Sequence, residues 1–138
     1  MTVELRTTTP ATRAARPDLE AYDYSTRAGF PVIVKELSDL LGSKLVAYIA
    51  GVLEVRAVSG WITGERDPRP HVPERLRLAF RVASLIAQHD SPRVAQAWLQ
   101  GLNPQLDDRS PARLLREGDL DEVGRQILSA ARAFVTGG

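Results

Sequence analysis

The sequence contains no cysteine. A disulfide framework, a thiolate metal site, a redox pair and a cysteine nucleophile are therefore excluded. The same absence suits a reducing compartment, so the cytoplasm is the expected location. Long apolar runs are missing too. None approaches the roughly 20 residues that a membrane-spanning helix needs. The start, Met1-Thr2-Val3-Glu4-Leu5-Arg6, lacks the basic-then-apolar order of a secretion signal. Charge of one sign is also lacking: 18 Lys plus Arg against 17 Asp plus Glu leave a net charge of +1. A general polyelectrolyte binder is excluded, and any nucleic-acid contact must come from a local patch. Lysine is scarce: only Lys35 and Lys44 occur, and the other 16 cations are arginines. That bias reads as GC-rich coding. What remains is ordinary globular composition, 43% hydrophobic and 25% charged over 138 residues, enough for one domain or two small ones.

The chain reads as all-α, with about seven short helices and no sheet. Residues 1–29, with Thr7-Thr8-Thr9-Pro10 and Arg16-Pro17, show neither helix nor strand period and are expected to be a flexible tail. From Pro31 the pattern changes. Ile33, Leu37, Leu40 and Leu41 recur at helical spacing up to Gly42. Ser43 is expected to cap a second helix bearing Leu45, Val46, Ile49 and Val52. A third stripe is Val55, Val58 and Ile62, closed by Gly64; Pro68, Pro70 and Pro73 then bar a helix. Residues 74–89 are apolar on two faces, which predicts a central helix. Ser91-Pro92 and Ser110-Pro111 open two more helices, and Asn103-Pro104 makes a turn between them. Gly118 stops one helix, and Asp119 with Glu122 reads as a capping box for the last.

An enzyme needs convergent polar groups, and the sequence offers none. His71 and His89 have no ligand partner at metal-binding spacing. No glycine-rich loop precedes a helix. Asp107-Asp108 reads as a turn, and the acids at 119–122 as a favoured helix N-terminus. No catalysis, cofactor or metal is expected.

Residues 43–64 read as helix, turn, helix, a unit that presents its second helix to a DNA major groove. That helix is expected to expose Arg56, Ser59, Gly60 and Thr63, with Arg66 and Arg69 just beyond. Arginine can grip guanine bidentately, and Ser or Thr can reach bases or phosphate. Between residues 56 and 81, six arginines face only Glu65, Asp67 and Glu74, a modest positive patch. The plain alternative is a helix pair that merely packs. Gly60 within the second helix costs about 1 kcal/mol relative to alanine. Val58, Trp61 and Gly64 resemble the recognition-helix end of Xre/Cro-type domains, although the turn from Gly51 to Val58 is slightly longer than usual there.

The back half carries a more specific resemblance. Ala97-Trp98-Leu99, Asn103-Pro104-Gln105-Leu106, Ser110-Pro111-Ala112-Arg113-Leu114-Leu115 and Glu117-Gly118-Asp119 occur in an order and spacing that resemble the Xre/MbcA/ParS antitoxin family. The likeness spans roughly residues 31–135. It implies a helix-turn-helix module at 30–73 and a toxin-binding domain at 74–138. It also implies a RES-type, NAD-degrading toxin as partner, operator DNA as a second partner, a homodimer and repression of its own operon. Under the same resemblance Arg125, Arg132 and Phe134 of the last helix are the expected toxin-binding residues; the alternative is that Phe134 is core and the arginines are solvated. A stand-alone helix-turn-helix regulator, host or phage, is the competing function.

Overall fold

Proline marks where most helices begin. In the computed structural model, which describes residues 17–137, helix α1 (Pro17–Arg27) starts on one. Helix α2 (Phe30–Leu41) carries Pro31 in its first turn. Helices α3 (Ser43–Ala50) and α4 (Arg56–Thr63) follow. Helix α5 (Val72–His89), helix α6 (Pro92–Gln100) and helix α7 (Pro111–Glu117) again have proline at the start, where its missing N–H costs nothing. A 3-10 turn, Pro104–Leu106, separates α6 from α7, and α8 (Leu120–Val135) ends the fold. Among the described residues there is no strand, only one isolated bridge between Asn103 and Arg109. The fold is all-helical, as the periodicity predicts.

Several local expectations change. Residues 17–29 are not a loose tail, because α1 is docked. Ala21 and Ser25, one turn apart, are buried. The Tyr24 hydroxyl donates to Glu36 Oε2 at 2.9 Å, and its ring meets Phe80 at 5.7 Å. Arg132 Nε on α8 reaches Asp18 Oδ2 at 3.3 Å. Residues 1–16 of the expected tail lie outside the described residues. Ser43 is not a cap: it is the first helical residue, and Gly42 before it takes a positive φ of 87°. Pro73 does not bar a helix but sits in the first turn of α5. The capping box at α8 is half made. Asp119 accepts from the Asp121 amide at 3.1 Å, and Glu122 contributes its backbone N–H to the Asp119 carbonyl. Ser91 and Ser110 cap as expected, accepting from Val94 and Arg113 amides.

Helix α5 is the axis. It packs against α1, α2, α3, α6, α7 and α8. Both its apolar faces are covered, so Leu76, Val82, Ala83 and Ile86 are fully buried. The core runs from Val46 and Trp61 in front to Leu115 and Ile127 behind, without a break near residue 73.

Long polar side chains tie the helices end to side. Arg75 donates to the Leu115 and Gly118 carbonyls at the close of α7. Arg77 donates to Ser25 and Ala28 carbonyls at the close of α1. Arg116 donates to the Tyr48 carbonyl near the end of α3 at 2.7 Å, and Gln96 reaches the Leu40 carbonyl near the end of α2 at 2.9 Å. Each supplies a donor to carbonyls at or just beyond a helix C-terminus, and three bring a positive charge to the negative dipole end.

Gly118 joins α7 to α8 at close quarters. A Cβ there would sit 2.8 Å from the Leu114 carbonyl oxygen and 2.8 Å from Val123 Cγ1. Neither is a free side-chain end, so Gly118→Ala is expected to cost about 1.5 kcal/mol of overpacking. Urea unfolding measures it as a lowered midpoint.

Candidate protein-docking and nucleic-acid surfaces

The turn between α3 and α4 is built by Gly51. Its left-handed backbone, φ 82° and ψ 21°, ends α3. The Val52 amide reaches back to the Ala47 carbonyl at 3.1 Å, a Schellman-type close. Val58 is fully buried, and Trp61 packs inward against Phe30 with ring centroids 5.9 Å apart. Gly64, φ 83°, ends α4. The segment is therefore two short helices joined by a turn that a left-handed glycine opens. Val55 does not join the inward stripe with Val58; it is exposed at the turn.

The residues expected to face DNA divide. Arg56, Ser59, Thr63, Arg66 and Arg69 are exposed. Gly60 is buried, against expectation. The Arg66 amide donates to the Gly60 carbonyl at 3.1 Å, which folds the Arg66 stem over Gly60. A Cβ on Gly60 would lie 2.7 Å from Arg66 Cγ. This glycine makes room for a neighbouring side chain and offers nothing outward. Arg56 is shared with Glu54, Nε to Oε1 at 3.3 Å. Thr63 Oγ1 donates to the Gly60 carbonyl.

The positive patch expected across residues 56–81 is not assembled. Arg75 and Arg77 are turned onto the ends of α7 and α1, as described above. Arg81 lies instead in a cleft lined by α1, α5 and α8. What stays exposed around α4 is Arg56, Arg66 and Arg69 beside Glu54, Glu65 and Asp67, which balance.

The three residues expected to bind a toxin do not form one cluster. Phe134 is 40% exposed on α8 and touches Trp98 of α6, centroids 6.3 Å apart. Arg132 is held by Asp18 of α1. Arg125 lies two turns earlier on α8, at the cleft that holds Arg81.

A groove that the sequence did not reveal lies between α3, the turn and α7. Its volume is about 570 Å3. Tyr48, Leu53, Val55 and Arg116 are among its walls. Leu53 is 94% exposed, and the Arg116 guanidinium lies 4.6 Å from the centre of the Tyr48 ring. The available signal was Leu53 itself, an apolar residue that neither flanking stripe absorbs. Among the described residues no three His, Asp or Glu gather to hold a metal. His71 and His89 are exposed at the two ends of α5. No described helix is long and apolar enough to cross a membrane.

No family model and no curated protein matches the chain. Its fold is similar to a chain in the crystal structure of the M. tuberculosis MbcT–MbcA toxin–antitoxin complex, with a TM-score of 0.64 and 25% identity, covering 80% of this chain and 96% of that one.

Proposed function

We propose that the chain is an antitoxin, which works by binding a toxin and not by catalysis. The carrying observation is the fold likeness to a chain of a toxin–antitoxin complex over nearly that chain's whole length. The ordered Trp98-Leu99, Asn103-Pro104, Ser110-Pro111 and Gly118-Asp119 series supports the same reading: Leu99 is buried within α6, and the other three pairs each set a helix boundary in the back half. The partner is a RES-domain toxin that consumes NAD, and residues 74–138 supply the docking surface. Phe134 fills an apolar pocket on the toxin; Arg125 and Arg132 take positions that an anionic substrate would occupy. The test is co-expression with a neighbouring gene for a RES-domain protein. The expected result is rescued growth and a complex that stays together through size exclusion. A chain that leaves the toxin free would favour the stand-alone regulator.

The second part of the reading is repression of its own operon by a homodimer. It rests on the exposed face of α4 and the glycine-closed turn before it. Two copies would place two such helices about 34 Å apart on one face of the duplex. Because Arg56, Arg66 and Arg69 are offset by neighbouring acids, binding should respond weakly to salt. Three phosphate contacts per protomer, six for the dimer, cap the log–log slope at about −5, and the neighbouring acids lower it further. Arg56→Ala should weaken operator binding by about 1 kcal/mol, near the low end for a base-reading arginine, because Glu54 already shares it. A gel-shift titration at fixed salt measures this, and an unchanged affinity would move the DNA surface off α4.

A further inference from the structure

We propose that the cleft between α1, α5 and α8 is a binding site for a carboxylate-bearing segment of a partner protein, held by Arg81 and Arg125. The cleft has a volume of about 400 Å3. Arg81 Nε is fully shielded from solvent and has no hydrogen-bond partner. Its guanidinium rests 4.7 Å from the centre of the Tyr22 ring, and no carboxylate among the described residues forms an ion pair with it. Such a donor, desolvated and unmatched, is costly in a folded protein. Burial holds this guanidinium below its ordinary pKa and the nearby Arg132 charge pushes in the same direction, outweighing the opposite pull of Tyr22 and Asp18. Arg125 faces the same cleft from α8 and makes no ion pair among the described residues either, although Asp121 stands four residues before it. The other arginines of α5 are satisfied by helix-end carbonyls, so Arg81 differs from its neighbours in kind.

The remaining walls choose among anions. Leu78, Leu120 and Leu128 give the cleft an apolar side, which suits the methylenes and neighbouring aliphatic groups of a peptide. Glu74 and Asp121 also line it, and they oppose a ligand that carries negative charge along its whole length, such as a nucleic-acid backbone. A single carboxylate among apolar side chains meets both conditions, and arginine binds carboxylate with two parallel bonds. The proposal extends the toxin-docking reading, since Arg125 belongs to that surface, but its assay contains no toxin, so the two fail separately.

The test uses the full chain, 15N-labelled, and follows the arginine Nε–Hε resonances at constant ionic strength. The probes are the peptide acetyl-Leu-Leu-Glu-Leu-amide, which carries one carboxylate, and, separately, inorganic phosphate. The expected result is a saturable shift of the Arg81 and Arg125 signals with the peptide and little with phosphate. Arg81→Gln should weaken peptide binding at least tenfold with only a small change in melting temperature, because it gives up the Tyr22 ring contact but also removes a shielded, unmatched donor. Arg125→Gln, at an exposed position, should weaken it in the same direction, and Arg93→Gln on α6 should leave it unchanged. No saturable shift, an affinity in Arg81→Gln and Arg125→Gln unchanged from that of the parent chain, or phosphate binding as tightly as the peptide would each overturn the proposal.

Discussion

Leu76→Ala is expected to lower the unfolding free energy by about 3 kcal/mol, the middle of the range for removing a buried leucine side chain. Leu76 is fully buried on α5, the helix that six of the others pack against. The vacated space cannot collapse easily, because α5 is held from several sides at once and its neighbours are themselves pinned by Arg75 and Arg77. A loss of that size is a large part of the roughly 5–15 kcal/mol that a domain of this kind has. It should lower the melting temperature by about 10 °C. Leu53→Ala is the contrast: Leu53 is 94% exposed, and the expected change is under about 0.5 kcal/mol. Urea denaturation followed by tryptophan fluorescence and by circular dichroism should give one coincident transition. Trp61 and Trp98 report from opposite sides of residue 73, and one core joins them. Two separated transitions would show that residues 30–73 and 74–138 fold independently.

Phe134→Ala is expected to weaken toxin binding by about 30-fold, or about 2 kcal/mol, while changing stability by less than about 1 kcal/mol. The two effects separate because Phe134 leans on Trp98 with only part of its ring and shows the rest to solvent. Aromatic side chains presented in this way dominate protein interfaces when a partner pocket desolvates them. Arg132→Ala should do less to stability still, since its pairing with Asp18 is half exposed and such pairs contribute under about 1 kcal/mol. Calorimetric titration of each variant with the toxin, beside its melting curve, checks both. If Phe134→Ala binds as tightly as the parent chain, the docking surface lies elsewhere, and the groove at Tyr48 and Leu53 becomes the next place to truncate.

Helical class and most helix boundaries were legible because they rest on local chemistry. Serine or aspartate before a first-turn residue, proline within that turn and glycine after the last turn act over four or five residues, and Ser91, Ser110, Gly42 and Gly64 do what their types suggest, whereas α3 stops at Gly51, short of the expected Val52. Helix α1 was not legible for the same reason. Its inward face is only Ala21 and Ser25 with tyrosines beside them, too weak a stripe to stand out, and its attachments come from residues 12 to 114 positions away. The fate of the arginines was equally hidden. Arg75, Arg77 and Arg81 alternate along one segment, yet one caps α7, one caps α1 and one enters a cleft. Summing their charge along the sequence gives a patch; their tertiary partners disperse it. Gly60 reads outward by helical position and is buried because a loop residue six positions later folds back on it.

The central claim is that the back half of this molecule acts by occupying another protein. The direct measurement is the rate of NAD consumption by a purified RES-domain toxin from a neighbouring gene, titrated with this chain. The account predicts a stoichiometric fall to the background rate, relieved by Phe134→Ala at equal concentration. An undiminished rate with an excess of the folded chain would contradict it.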